Sequence, residues 1–370
     1  MSPLLPTALR QSGATLGLSA LLAAGTATPA AIAGTPAHTG HAAGTRLSSV
    51  CVLAHFDRAA GQAAESIAPE PDGGAVIGMI PGRQVVRVAP EGTVQVLVTM
   101  PLPEGGGGTT PVVGIPVVTG VARSAGGVSY FLYSAGEGGL TGIWQIRPAG
   151  PPRLVVPLPA DTMANALVID AGRARFLVTD SAGGRIWQAP LRGGEATVWS
   201  ADPALAPHGF FGANGMKIHD NAVWASNSDR GTIVRIPLTA TGGSGRAEIR
   251  ATGLEGIDDF DFTGRGTEIL AAINQSSELV RVGPDGDHEA LLDAGDGMQG
   301  TTAVVVRGTR AYVTNGANLA GNDPNLLLAE LHHGFAPTTM TPATIRAAPS
   351  PVSTTVALRT GSSSVTGTSW

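Results

Sequence analysis

Short runs in which apolar and polar residues alternate recur along most of the chain, and each run follows a turn that contains glycine or serine. Segments 179–191 and 226–238 align without a gap and share a serine, a glycine, an isoleucine and a final Pro-Leu pair. Weaker copies lie at 84–88, 142–146 and 278–282. Alternation with a period of two indicates β-strands that are buried on one face. The pattern therefore predicts an all-β protein.

A longer repeat organises these strands into units of about 45 residues. The first strand of each unit starts at a polar residue, at intervals of 43 to 54 residues: Glu65, Thr119, Asn165, Asn214, Asp258 and Thr301. Four short antiparallel strands per unit are the signature of a propeller blade. A β-sandwich needs no constant period, and a β-helix would repeat over shorter spans. The fold expected is a six-bladed β-propeller.

The last unit, from Thr301 to about residue 331, contains three strands at most. Segment 48–54 precedes the first unit and belongs to no repeat. We expect it to close the ring as the fourth strand of the last blade, because an open sheet edge invites unwanted pairing. The segment contains Cys51, the single cysteine. No intrachain disulfide can form, and we expect Cys51 to be a small buried core residue.

The two ends of the chain differ from the repeats. Residues 13–25 form a short apolar run between Arg10, the only charge in the first 45 residues, and a small-residue site at 31–33. This order is typical of a secretory signal, although a disordered Ala-rich leader is an alternative. We expect a signal peptide at 1–33, a disordered linker at 34–46, the propeller at 47–335 and a disordered Ser/Thr/Pro-rich tail at 336–370. The mature protein would then be secreted or periplasmic.

Composition excludes several classes of function. The net charge is −5, and no Lys/Arg cluster suggests a nucleic-acid partner. No apolar run is long enough to span a membrane. The motifs of serine hydrolases, zinc proteases and phosphate-binding loops are absent. We expect a monomer that binds a small-molecule substrate or ligand.

The inner strands of a propeller surround one axis, so the polar residues that start the repeats should face each other. Turns favour Asn, Asp and Thr, and turn chemistry alone is one explanation of the pattern. The other is a ring of carboxylate and amide oxygens that binds one divalent cation, Ca²⁺ ahead of Mg²⁺ or Zn²⁺. Without a cation, Glu65 and Asp258 would repel each other and one of them would take up a proton.

On these residues the chain, from about 48 to 334, resembles the gluconolactonase/senescence-marker/luciferin-regenerating-enzyme family of six-bladed propellers. Members of that family bind an axial divalent metal through an early Glu, the Asn of an Asn-Gly motif and the Asp of a Pro-Asp-Gly motif. The resemblance implies Glu65, Asn214 and Asp258 as metal ligands. It also implies Asn165 near the metal and the substrate.

The activity that the resemblance implies is hydrolysis of a lactone or related ester, with Asp258 or Glu65 activating water. The sequence departs from the family pattern at several points. Glu65 is followed by Ser-Ile instead of Gly-Pro, and Asp259 directly follows Asp258 and competes for its role. No arginine matches the family's sugar-binding arginine, which argues against a sugar lactone. A non-catalytic binding propeller with a structural cation is the alternative.

The loop that precedes Asn214 carries His208, Phe210 and Phe211. If this loop covers the channel, His208 is a candidate base or substrate contact and the phenylalanines form an apolar wall. A solvent-facing histidine is the competing interpretation. Asp180 and Asp229, in the turns of the two best-matched repeats, are interpreted as turn formers.

Overall fold

The computed structural model describes residues 44–106, 109–147, 150–319 and 321–334. The expected signal peptide, nearly all of the expected linker and the expected tail lie outside these residues. The first strand begins at Thr45 and the last ends at His333.

The described part of the chain forms six four-stranded antiparallel sheets. In chain order the strands are β1 (Thr45–His55), β2 (Gln62–Pro69), β3 (Ala75–Pro81), β4 (Gln84–Val88), β5 (Val94–Thr99), β6 (Val117–Arg123), β7 (Ser129–Ser134), β8 (Gly142–Ile146), β9 (Arg153–Pro157), β10 (Ala164–Asp170), β11 (Arg175–Asp180), β12 (Arg185–Pro190), β13 (Thr197–Ser200), β14 (Ala213–His219), β15 (Ala222–Asn227), β16 (Thr232–Pro237), β17 (Glu248–Ala251), β18 (Ile257–Phe262), β19 (Ile269–Ile273), β20 (Glu278–Val282), β21 (His288–Leu292), β22 (Thr301–Arg307), β23 (Arg310–Asn315) and β24 (Asn325–His333). Single turns of 3-10 helix lie at Arg58–Ala60, Ala171–Arg173, Pro203–Leu205 and Ala294–Asp296.

Each of the first five blades uses four consecutive strands, starting with β2, β6, β10, β14 and β18. The sixth blade consists of β22, β23, β24 and β1. The first strand of every blade contacts the first strand of the next, and β22 contacts β2, so six inner strands surround one axis. The predicted six-bladed propeller is confirmed.

The ring closes through β1, as the sequence predicted. This strand pairs antiparallel with β24, from Thr45 opposite His333 to His55 opposite Asn325. The expectation for Cys51 was wrong, because its side chain is exposed. β1 is the outermost strand of its sheet and pairs along one edge only, so most of its residues are accessible to solvent.

The hydrophobic core lies between neighbouring blades. Phe260 and Ile273 of blade five pack with Trp224 of blade four, and Tyr312 of blade six packs with Ile77 of blade one where the ring closes. Burying a large apolar side chain stabilises the fold by about 1.5–3 kcal/mol. The same contacts hold the blades at a fixed spacing around the axis.

Every inner strand carries a register shift near its start, where one strand has more residues than its partner. The first bulged residues are Glu65, Thr119, Asn165, Asn214, Asp258 and Thr302. The sequence-based alignment was therefore wrong by one residue in blade six, where it placed Thr301. Thr301 instead bonds within its own blade, to the Asn315 side chain at 3.2 Å. Thr302 donates to the carbonyl of Ala64 in blade one at 2.9 Å.

Close approach of the inner strands predicts that alanine is poorly tolerated at Gly120. A Cβ there would lie 2.4 Å from the carbonyl oxygen of Asn165 and 2.8 Å from the amide nitrogen of Leu167, both backbone atoms of the next blade. We expect Gly120→Ala to lower the free energy of unfolding by about 1–3 kcal/mol, measured by urea denaturation. Gly138→Ala is the control, because a Cβ there meets no atom within 4 Å. Equal stability of the two variants would contradict this tight spacing.

Candidate functional site

A cavity of about 420 Å³ lies where the N-terminal halves of four inner strands meet the connecting loops. Its polar lining includes Glu65, Thr119, Asn214 and Asp258 from four inner strands. Loops add further polar residues, among them Ser228, Asp229, Glu255 and Asn274. Ile80, Val113, Val117, Met163, Phe210, Phe211 and Leu319 form its apolar walls.

Hydroxyl groups of one blade position the polar residues of the next. Ser226 Oγ donates to the backbone oxygen of Asp258 at 2.7 Å, and Ser228 Oγ donates to that of Ile257 at 2.6 Å. Thr179 Oγ1 and Ser181 Oγ make the equivalent bonds to the inner strand β14, at 2.6 and 2.7 Å. The serine shared by the best-matched repeats therefore fixes the adjoining inner strand.

Glu65 and Asp258 both have raised pKa values, and the charge of Glu65 contributes to the shift of Asp258. Burial raises the pKa of Glu65 to about 7, and the charge of Asp259 adds to this effect. Burial, followed by the charges of Glu65 and Asp259, raises the pKa of Asp258 well above its usual value. In the metal-free protein the two groups therefore do not both ionise readily at neutral pH, because each charge disfavours the other.

Amide side chains partly offset the rise in the pKa of Asp258. Asn274 Nδ2 donates to Asp258 Oδ2 at 3.4 Å, and hydrogen bonds from Asn214 and Asn274 lower the pKa of Asp258 in part. Asn214 Nδ2 also donates to Ser228 Oγ at 2.9 Å. The Oδ1 atom of Asn274 is buried and has no hydrogen-bond partner.

The structure separates the roles of Asp258 and Asp259. Asp258 lines the cavity. Asp259 instead accepts two hydrogen bonds from Lys217 Nζ, at 2.6 and 2.8 Å. Burial raises the pKa of Asp259, and the charge of Lys217 lowers it in part. Asp259 is therefore held in an ion pair, which leaves Asp258 as the carboxylate that faces the cavity.

The remaining predicted site residues lie in different surroundings. Asn165 is buried on β10 and does not line the cavity, and its Nδ2 atom has no hydrogen-bond partner. His208 is exposed and lies outside the cavity lining. Phe210 and Phe211 both line the cavity, with ring centroids 4.1 Å apart.

Two residues near the site were missed or under-interpreted from the sequence. Asn274 follows β19 as Ser181 follows β11 and Ser228 follows β15, so the repeat alignment contained a signal for it. Asp229 was interpreted only as a turn former. Its Oδ2 accepts the backbone N–H groups of His208 and Phe210, each at 2.7 Å, and it lines the cavity.

Oxygen atoms dominate the donors that the cavity offers to a divalent cation. Within the described residues, no group of three or more His, Cys, Asp or Glu side chains is arranged to hold a metal. The expected set is of another kind, with two carboxylates and amide oxygens. Two carboxylates that repel each other, together with the unpartnered Oδ1 of Asn274, are oxygen donors that Ca²⁺ accepts. The chemistry of these residues therefore fits a hard cation.

The fold is similar to several solved structures at low sequence identity. A gluconolactonase from Xanthomonas campestris superposes with a TM-score of 0.56 at 16% identity, over 80% of this chain and 99% of that one. A calcium-binding regucalcin from Agrobacterium tumefaciens gives 0.56 at 17% identity, over 80% and 97%. A virginiamycin B lyase from Staphylococcus aureus gives 0.50 at 14% identity, over 78% and 99%.

No protein-family model matches the sequence, and no curated protein matches it. The similar structures confirm the resemblance to the gluconolactonase family at the level of the fold. Their different activities leave the chemistry to be argued from the residues of this chain. Across the described residues, no helix is both long and apolar enough to cross a membrane.

The raised pKa of Glu65 predicts how the stability of the metal-free protein depends on pH. A carboxyl group with a raised folded-state pKa stabilises the fold below its ordinary pKa of 4.5, and this contribution is lost as pH rises towards about 7. We expect Glu65→Gln to become more stable relative to the wild type as pH increases from 5 to 8, measured by urea denaturation in chelator. Glu91→Gln is the matched control, because Glu91 is exposed to solvent. A pH-independent difference between Glu65→Gln and the wild type would contradict the prediction.

Proposed function

We propose that this chain is an exported hydrolase of a lactone or related ester that depends on a divalent cation, Ca²⁺ in the first place, at the propeller axis. The observation that carries the proposal is the shared cavity of Glu65 and Asp258, next to the amides of Asn214 and Asn274. The apolar run near the N-terminus supports export.

A cation would balance the charge of this cavity. Its described lining residues include no Lys, Arg or His to offset the carboxylates. Glu65, Asp258 and Asn214 would hold the ion, with Asn274 Oδ1 as a further amide donor. The calcium-binding regucalcin among the similar structures supports this assignment. A divalent cation bound here supplies Lewis-acid polarisation of a carbonyl oxygen.

Asp258 is the proposed general base. Its carboxylate faces the cavity, and the hydrogen bond from Asn274 helps to orient it. As the oxygen of a water molecule bonds to the substrate's carbonyl carbon, Asp258 accepts the proton. The bond between the carbonyl carbon and the ring oxygen then breaks, and the ring oxygen takes up the same proton. The product is a hydroxy acid. Glu65 is the second group able to carry this proton.

The gluconolactonase among the similar structures supports lactone hydrolysis as the reaction class. The apolar walls around the carboxyl groups also suit this chemistry. They give the carboxyl groups apolar surroundings, in which electrostatic interactions are stronger than in water.

The proposal predicts that turnover requires both the cation and Asp258. We expect some members of a panel of lactones and aryl esters to be hydrolysed in the presence of Ca²⁺. This activity should be lost when a chelator removes the ion. Asp258→Asn should lower kcat/KM by about 100-fold or more, because a general base contributes about 10²–10⁴-fold. Asp161→Asn is the control, since Asp161 is exposed and lies outside the cavity lining.

Turnover that survives both chelation and Asp258→Asn would overturn the proposal. Calorimetric Ca²⁺ binding that is lost in Asp258→Asn, combined with no turnover of any substrate, would instead support the non-catalytic binding propeller.

A further inference from the structure

Large apolar side chains are exposed at the mouth of the cavity. Phe210 is 45% exposed and Leu319 is 67% exposed, yet both line the cavity. Val113 also lines it, between the exposed Val112 and Ile115. The three contributing loops precede β6, precede β14 and connect β23 to β24. We call Val113, Phe210, Phe211 and Leu319 the apolar rim.

Hydrogen bonds hold two of these loops in place. Asp229 accepts the backbone N–H groups of His208 and Phe210, which fixes the start of the Phe210–Phe211 segment. Thr110 Oγ1 donates to the carbonyl of Ile115 at 2.6 Å, on the loop that carries Val113. The apolar side chains therefore project from turns that hydrogen bonds hold in place. Contiguous exposed apolar surface around a cavity marks a binding site for apolar groups.

The charged and apolar groups of the cavity indicate which chemical class of ligand it can bind. Four carboxyl groups line it, from Glu65, Asp229, Glu255 and Asp258, and its described lining contains no basic side chain. The cation proposed for Glu65 and Asp258 would leave the carboxyl groups of Asp229 and Glu255 without a basic side chain in the described lining, so an anionic group on the substrate is disfavoured next to them. A polyhydroxylated ring would place some of its hydroxyl groups against the apolar rim, whose side chains offer them no hydrogen-bond partner.

We infer that the substrate is a neutral lactone or ester that carries an alkyl or aryl substituent, with its carbonyl near Glu65 and Asp258 and its substituent against the apolar rim. This inference rests on the proposed function. A cavity of about 420 Å³ lies in the range of sites for small organic ligands and has room for more than a bare lactone ring. Hydrolysis by water gives the corresponding hydroxy acid.

The first test measures kcat/KM of the Ca²⁺-loaded protein for δ-valerolactone, δ-octalactone, δ-decalactone and glucono-δ-lactone. We expect kcat/KM to rise by about three- to fourfold for each added methylene, as burial of hydrocarbon requires, until the cavity is filled. Glucono-δ-lactone should be the poorest substrate. Lactone hydrolysis with no dependence on chain length, or with a preference for glucono-δ-lactone, would overturn the inference and leave the proposed function standing.

The second test removes the apolar surface. Leu319→Ser and Phe210→Ser should each raise KM for δ-decalactone by about tenfold, and the effect should shrink as the alkyl chain shortens. Ile249→Ser is the matched control, because Ile249 is 58% exposed on the outermost strand β17 and lies outside the cavity lining. An equal loss on all chain lengths, or an equal effect of Ile249→Ser, would count against the inference.

A binding measurement separates this inference from the proposed function. The δ-lactam with the same alkyl chain as δ-decalactone resists hydrolysis, and its binding can be followed by calorimetry. If no lactone or ester is turned over, lactam binding that weakens about tenfold in Leu319→Ser supports the apolar ligand class and overturns only the hydrolase. If neither turnover nor lactam binding is observed, both the proposed hydrolase and the apolar ligand class are overturned.

Discussion

Closure of the ring by β1 is the interaction on which the rest of the structure depends. Its pairing with β24, from Thr45 to His55, joins the start of the described chain to its end. A closed ring keeps six inner strands at one spacing around the axis, and Gly120 shows how little room separates them. Without closure, the polar residues of blades one and five would not reach the same cavity.

This geometry has an electrostatic consequence. Glu65 and Asp258 come from different blades, yet burial raises the pKa of both, and the charge of Glu65 raises that of Asp258 further. A nearby ion pair engages Lys217 with Asp259, so this lysine does not balance the carboxylates in the cavity. Perturbed ionisable groups gathered in a cavity are typical of functional sites. A bound cation, or a proton shared between the two carboxyl groups, would relieve this repulsion.

The polar part and the apolar part of the cavity come from different elements of the fold. Carboxylates and amides on the inner strands belong to the propeller frame, which the similar structures share as a fold. The apolar walls come from loops, with Phe210 and Leu319 as their exposed members. Similar frames serve a gluconolactonase, a calcium-binding regucalcin and a virginiamycin B lyase. Under the proposed function, loop composition is where substrate preference would be set.

The sequence by itself determined the number of blades, their strands and five of the six polar positions at the axis, because alternation and turn chemistry are local properties of the chain. Tertiary structure alone decided that Thr302, and not Thr301, takes the sixth position, since a bulge shifts the register by one residue. It also decided that Cys51 is exposed, because burial of a strand depends on which of its edges is paired. The same holds for Asp258 and Asp259, which are adjacent in sequence. Only the position of Lys217 on the neighbouring blade assigns one to an ion pair and the other to the cavity.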